Sequence, residues 1–181
     1  ILCGCHYLSY EIWSGMSANR LDTSPISLDA IGLNVTAMDI FREVTRMTWR
    51  LKSSIRGQIE SIQQHLALPE TYGAIHIRSG DKIKEAKPFT HHAYIERLQA
   101  TADVEGIFVL TDDYNNFRQL VQDYPELKFY TLEREHQTGY YHIVNKRRYR
   151  NEKQLDNLNY LASIEIAAAS KTYGGTFSSN V

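Results

Sequence analysis

The sequence predicts an α/β fold in which helices cover both faces of a parallel sheet. From about Glu70 onward, short β-rich runs alternate with helical patterns, an order typical of such folds. A polar turn follows three of the predicted strands, and ligands of these folds bind beyond the carboxyl ends of the strands. The residues best suited to chemistry therefore lie where the fold would bind a ligand.

Length and composition narrow the class of protein. The 181 residues suffice for one domain, or for one domain and part of another. With 43% hydrophobic and 23% charged residues, the composition is globular and excludes a disordered or fibrous chain. The net charge of -1 gives no electrostatic case for a nucleic-acid partner.

No membrane segment or leader is predicted in this sequence. Taken alone, the sequence favours a cytoplasmic location. The abrupt ends at Ile1 and Val181 indicate a piece of a longer chain, so an anchor before Ile1 and a Golgi or ER lumen location stay open.

The elements of the sheet region follow in order along the chain. Strands are predicted at residues 72–77, 106–110, 127–132 and 172–175. Thr90 is a predicted N-cap, and either Asp112 or Asp113 would cap the next helix. A last helix is predicted from the apolar stripe Leu155, Leu158, Leu161, Ile164 and Ala168.

The first part of the chain is predicted to contain one long helix, from about Asp39 to Leu66. A hinge near residues 67–69 would suit the short apolar link that ends in Pro69. We therefore divide the sequence into a partial region, residues 1–68, and a ligand-binding domain, residues 69–181.

The segment HIRSGDK, residues 76–82, is the first candidate site. Side chains alternate along an extended chain, so His76 and Arg78 point to the same side. An arginine beside the backbone amides of a glycine-containing turn suits a diphosphate, which it can bind bidentately. Asp81 could orient Arg78 or Lys82. An ordinary strand end with a surface salt bridge explains the pattern equally well.

Two further turns follow predicted strands. Asp112 and Asp113 could bind a metal, brace an arginine or cap a helix. The last turn would offer hydroxyls and free amides to an anion if a helix follows it; it contains Thr176, Phe177, Ser178 and Ser179. An uncomplicated N-cap is the alternative.

Together, the segments HIRSGDK, LTDD and TFSSNV resemble in order and spacing the fucosyltransferase superfamily. That superfamily includes core α1,6-fucosyltransferases, nodulation fucosyltransferases and protein O-fucosyltransferases, and the similar stretch runs from about Trp49 to Val181. The resemblance implies a GT-B fold, with residues 69–181 as a Rossmann-type donor-binding half and residues 1–68 as part of an acceptor-side half. It also implies inverting transfer of a sugar from a nucleotide-diphosphate donor to a glycan hydroxyl, with no metal or other cofactor required.

The resemblance also implies roles for individual residues. Arg78, Lys82 and Glu85 would be catalytic: Arg78 would hold the diphosphate, Lys82 matches a lysine near the acceptor, and Glu85 falls close to the family's general base. The implied donor-binding residues are His76, Arg78, Asp81, Asp112, Asp113, Ser163, Thr176, Phe177, Ser178 and Ser179.

Two positions depart from the pattern of the core fucosyltransferases. Ser79 replaces the second arginine of the first segment, and Ser163 stands at the position of a guanine-reading aspartate. Glu165 is not an automatic substitute, because a helical step of two residues turns a side chain well away. GDP-fucose is the family default, and a UDP- or GDP-linked pentose such as xylose, or another deoxyhexose, stays open. A non-catalytic nucleotide- or glycan-binding module and a metal-dependent phosphohydrolase also stay open.

Overall fold

The computed structural model describes residues 25–28, 33–80, 89–139 and 150–175. The chain divides into two compact units between Lys52 and Ser53. No helix of the described ranges is long and apolar enough to cross a membrane.

The first unit contains a β-hairpin pairing followed by a helix. Strands β1 (Pro25–Leu28) and β2 (Leu33–Thr36) pair antiparallel, and helix α1 (Ala37–Thr48) comes next. The hydroxyl of Thr36 accepts a hydrogen bond from the amide of Asp39, and the Asp39 carboxylate accepts one from the amide of Thr36. This reciprocal capping box explains why α1 begins directly after β2.

The second unit begins with helix α2 (Ser53–Leu66). The prediction of one helix over residues 39–66 is therefore wrong, because the chain leaves the helical path at Trp49, the C-cap of α1. In the last turn of α1 the hydroxyl of Thr48 donates to the carbonyl oxygen of Val44 at 2.7 Å. Such side-chain bonds compete with the helical backbone pattern.

The second unit is built on a four-stranded sheet in which all paired neighbours are parallel. Its strands are β3 (Tyr72–Ile77), β4 (Gly106–Thr111), β5 (Phe129–Tyr130) and β6 (Thr172–Gly175), in the spatial order β5-β4-β3-β6. The chain thus adds strands in one direction from β3 and then returns to its other side. This topology confirms the predicted parallel sheet and is compatible with a Rossmann-like fold.

The described part of this unit contains three further helices: α3 (His91–Thr101), α4 (Tyr114–Asp123) and α5 (Arg150–Ala169). Thr90 caps α3 as predicted, and of the two candidate aspartates Asp113 caps α4. Strand β5 is shorter than the predicted 127–132. After Tyr130, the side-chain hydroxyl of Thr131 donates to the carbonyl oxygen of Val109 at 2.9 Å.

Two apolar clusters cover the faces of the sheet, because alternate strand residues point to opposite sides. One contains Ile75, Ile77, Ile107 and Val109 together with Tyr94, Ile95 and Leu98 of α3 and Leu120 of α4. The other contains Ala74, Phe108 and Leu110 together with Ile166 and Ala167 of α5. Helices therefore flank the sheet on both sides, as predicted.

The buried face of α5 differs from the predicted stripe. The buried residues are Ala162, Ser163, Ile166 and Ala167. Leu155, which belonged to that stripe, is 45% exposed. Small side chains on the buried face let α5 lie close to the sheet, so its larger apolar residues are displaced to the flanks.

The hydroxyl of Tyr72 joins the start of β3 to the end of α5, donating to the carbonyl oxygen of Ile166 at 2.8 Å. We expect Tyr72→Phe to lower the free energy of unfolding by about 1 kcal/mol, because a carbonyl in the last turn of α5 loses its donor. Urea denaturation measures this change. Tyr114→Phe, which keeps its ring against Phe117, is the control, and an equal loss in both variants would contradict the assignment.

Candidate functional site

The carboxyl ends of β3 and β4 leave the sheet side by side. Ile77, the last residue of β3, is paired with Thr111, the last residue of β4. Just beyond these two strand ends, the backbone amide of Ser79 donates to Oδ1 of Asp112 at 2.7 Å. This hydrogen bond brings together two segments that the sequence analysis singled out separately.

Asn116, in the first turn of α4, holds the same corner from the helix side. Its Nδ2 donates to the hydroxyl oxygen of Ser79 at 2.9 Å and to that of Thr111 at 3.1 Å. Its Oδ1 lies 3.2 Å from Nε2 of His91, at the start of α3. Sequence reasoning missed Asn116; the available signal was a polar side chain in the first turn of a helix that follows a strand.

The adjacent carboxylates of Asp112 and Asp113 have different partners. Oδ1 of Asp113 accepts hydrogen bonds from the backbone amide and the Nδ2 of Asn115, both at 3.0 Å. Asp112 instead accepts from Ser79 in the neighbouring strand end. Among the described residues, no three His, Cys, Asp or Glu side chains lie close enough together to hold a metal ion.

His76 is buried below this edge, with 4% of its surface exposed. Burial lowers the pKa of its imidazole to about 4; the charge of Arg78 acts in the same direction and that of Asp112 opposes it. The ring is therefore neutral at pH 7, and it can offer a ligand a hydrogen bond but no positive charge. Within the described part of the chain, its Nδ1 has no hydrogen-bond partner.

Helix α5 approaches the same edge through Tyr160. Burial raises the pKa of the Tyr160 phenol, and the positive charge of Arg78 opposes that change, so the two side chains are electrostatically coupled. Ser163 lies about one turn further along α5 and is 1% exposed. The structure thus places Ser163 inside the interface between helix and sheet.

The loop from Thr131 to Gly139 folds back over the end of β4. The amide of Gly139 donates to the carbonyl oxygen of Asp112 at 2.8 Å. The loop is also joined to α5, because Arg134 forms an ion pair with Asp156. Residues of the loop therefore belong to the same edge of the sheet as Arg78 and Asp112.

Glu133, in this loop, is a second residue that sequence reasoning missed. Its amide donates to the hydroxyl oxygen of Thr131 at 3.1 Å, directly after β5. Burial raises the pKa of its carboxyl to about 7, with the negative charges of Asp112 and Asp156 in support and Arg134 opposed. The signal in the sequence was an acidic residue just beyond the third predicted strand, as Asp112 is just beyond the second.

Of the predicted site residues, the structure brings His76, Arg78 and Asp112 together, while Asp113 serves as the cap of α4. Ser163, also a predicted donor-binding residue, is buried on α5, and no hydrogen bond among the described residues joins it to these three. The remaining predicted site residues lie outside the described part of the chain: Asp81, Lys82, Glu85, Thr176, Phe177, Ser178 and Ser179.

Comparison with known proteins leaves the family open. No protein-family model and no curated protein matches this sequence. The function is therefore inferred from the chemistry of the residues at the carboxyl edge of the sheet.

We expect Asp113→Ala to lower the free energy of unfolding by about 1 kcal/mol, because α4 loses its N-cap. Urea denaturation measures the loss. Asp123→Ala, at the exposed end of the same helix, is the matched control and should change stability by less than about 0.5 kcal/mol. A loss no larger than that of the control would show that Asp113 does not cap α4.

We expect Glu133→Gln to raise stability at alkaline pH. The folded-state pKa of about 7 lies above the ordinary value of 4.5, so the stability contributed by this carboxyl is fully present below pH 4.5 and is lost as the pH rises through 7. The variant should exceed the wild type by on the order of 2 kcal/mol near pH 8 and match it near pH 4.5. Urea denaturation across this range measures the difference. Glu135→Gln, an exposed neighbour, should follow the wild type at every pH.

Proposed function

We propose that this chain is the donor-binding part of an inverting glycosyltransferase of the GT-B type. It would take a nucleotide-diphosphate sugar, GDP-fucose by resemblance or a related UDP- or GDP-linked sugar, and transfer the sugar to a glycan hydroxyl. The proposal joins the resemblance of three sequence segments to the chemistry of one sheet edge.

The observation that carries the proposal is the hydrogen bond from the amide of Ser79 to Oδ1 of Asp112, at 2.7 Å. It joins the first and second of the resembling segments at the carboxyl edge of a parallel sheet, the edge where such folds bind ligands. The contact makes Asp112 a brace for the turn that carries Arg78, one of the roles that the sequence leaves open for the two aspartates.

Arg78 is the residue we assign to the departing diphosphate. A guanidinium can bind two phosphate oxygens at once and stabilise the negative charge that develops there during transfer. His76, neutral at pH 7 because burial lowers its pKa to about 4, would add a hydrogen bond. By resemblance, Glu85 would take the proton of the acceptor hydroxyl and Lys82 would lie near the acceptor.

The arrangement of the two aspartates favours this function over a metal-dependent phosphohydrolase. A metal held by Asp112 and Asp113 would need both carboxylates to face it, whereas Asp113 bonds to Asn115 and Asp112 to Ser79. A non-catalytic binding module would use the same edge, and only turnover separates it from a transferase.

Calorimetric titration with GDP- and UDP-sugars, together with a transfer assay on a panel of glycan acceptors, tests the proposal. We expect Arg78→Gln to weaken binding of the donor at least about tenfold, because the charge that holds the diphosphate is lost.

Arg97→Gln is the matched control, since Arg97 is an exposed arginine of α3 and its variant should bind like the wild type. Undiminished donor binding and transfer by Arg78→Gln would refute the assignment of Arg78 to the diphosphate. Binding without transfer for any donor and acceptor would favour the non-catalytic module.

A further inference from the structure

We propose that Glu133 is a positioning residue of the donor site that acts through Asp112, so that donor binding strengthens when Glu133 takes up a proton. The inference rests on the proposed function, because the anion concerned is the diphosphate of the nucleotide sugar. Glu133 would not touch the reacting atoms; it would set the charge of the edge on which the diphosphate lies.

The sheet places Asp112 between Glu133 and Arg78. Strand β4 lies between β5 and β3, and Asp112, Glu133 and Arg78 follow the carboxyl ends of these three strands. Neighbouring strands are about 4.8 Å apart, so the ends of β5 and β3, on either side of β4, are about 10 Å apart. That separation is close to one screening length at physiological salt, and partly buried charges are screened less.

The charged groups that act on the carboxyl of Glu133 come from three parts of the structure. Asp112 comes from the end of β4, Asp156 from α5 and Arg134 from the same loop as Glu133. Arg134 is already ion-paired with Asp156. Ionisation of Glu133 therefore adds a negative charge beside Asp112, and its protonation removes that charge.

The end of β3 supplies the remaining charges of this corner. Arg78 carries the positive charge there, and His76 is neutral above its lowered pKa of about 4. An ionised Glu133 is thus not offset by His76 at any pH near 7. An incoming diphosphate bound at Arg78 would be repelled by the negative charge of an ionised Glu133, and this repulsion is lost when Glu133 is protonated.

A second observation indicates that a ligand belongs at this corner. His76 is 4% exposed, and its Nδ1 lacks a hydrogen-bond partner within the described residues. Buried polar atoms are nearly always hydrogen-bonded, and His76 is electrostatically coupled to both Arg78 and Asp112. A buried ring nitrogen without a partner, near Arg78 and Asp112, is a group that a ligand at this edge could satisfy.

Glu133 titrates near neutral pH, within the range in which binding can be measured. Burial and its acidic neighbours raise the pKa of Glu133 to about 7, and a bound anion would raise it further. Binding should therefore take up a proton near neutral pH. A diphosphate esterified at both ends does not itself titrate there, so a nucleotide sugar is a cleaner probe than a free nucleoside diphosphate.

The test is calorimetric titration of the full chain with GDP-fucose or a UDP-sugar at low salt, from about pH 6 to about pH 8.5. We expect the wild-type dissociation constant to rise about three- to tenfold across this range. Glu133→Gln should bind tightly at every pH, while Glu133→Asp should keep a pH dependence. Glu135→Gln, an exposed carboxylate of the same loop, should follow the wild type.

Proton uptake by the wild type provides a measurement that needs no variant. Titrations near pH 7 in two buffers of different ionisation enthalpy should show uptake of a fraction of a proton per donor bound. No uptake, or the same pH profile in Glu133→Gln as in the wild type, overturns this inference and leaves the proposed function standing. Absence of binding for every nucleotide sugar at every pH overturns both.

Discussion

The parallel pairing of β3 with β4 is the constraint on which the candidate site depends. Six consecutive residue pairs, from Tyr72 beside Gly106 to Ile77 beside Thr111, hold the two strands in one register. A shift of one residue would move every side chain to the opposite face, and Ser79 would no longer lie opposite Asp112. The apolar clusters on both faces of the sheet thus determine where the polar residues beyond it meet.

Burial at the carboxyl edge of the sheet changes which of its side chains are charged at neutral pH. A count of charged residues gives a net charge of -1 for the whole chain, but burial leaves His76 neutral and allows Glu133 to hold a proton near pH 7. The charges that surround Arg78 therefore cannot be read from the sequence alone. Local burial, and not the overall charge, sets how attractive this edge is to an anion.

Much of the fold follows from local patterns. The parallel sheet, the cap at Thr90 and the position of the polar turns after the strands could be predicted, because apolar strands and polar turns repeat at regular intervals. The break after Thr48 could not, since the apolar period continues through it and no proline or glycine marks it. The same holds for the short β5, which depends on where the hydroxyl of Thr131 finds a partner in another strand.

The site was predictable only where residue types are distinctive. Arg78 before a glycine-containing turn and the adjacent pair Asp112 and Asp113 can be recognised from the order of residues along the chain. The role of Asn116 cannot, because it depends on contacts with Ser79, Thr111 and His91. Glu133 looks like any surface glutamate until the fold places Asp112 and Asp156 around it. Asn116 and Glu133 owe their roles to residues that are distant in the sequence, and no local sequence pattern encodes such contacts.

The order of the strands also has a consequence for how the protein folds. Strands β3 and β4 can pair once α3 has formed, but β6 pairs with β3 across about 100 residues of chain, and closing so long a loop is slow and entropically costly. We expect the pairing of β6 with β3, at the point where the strand order reverses, to form last. The backbone amides that join β6 to β3 would then be the last in the sheet to gain protection from hydrogen exchange.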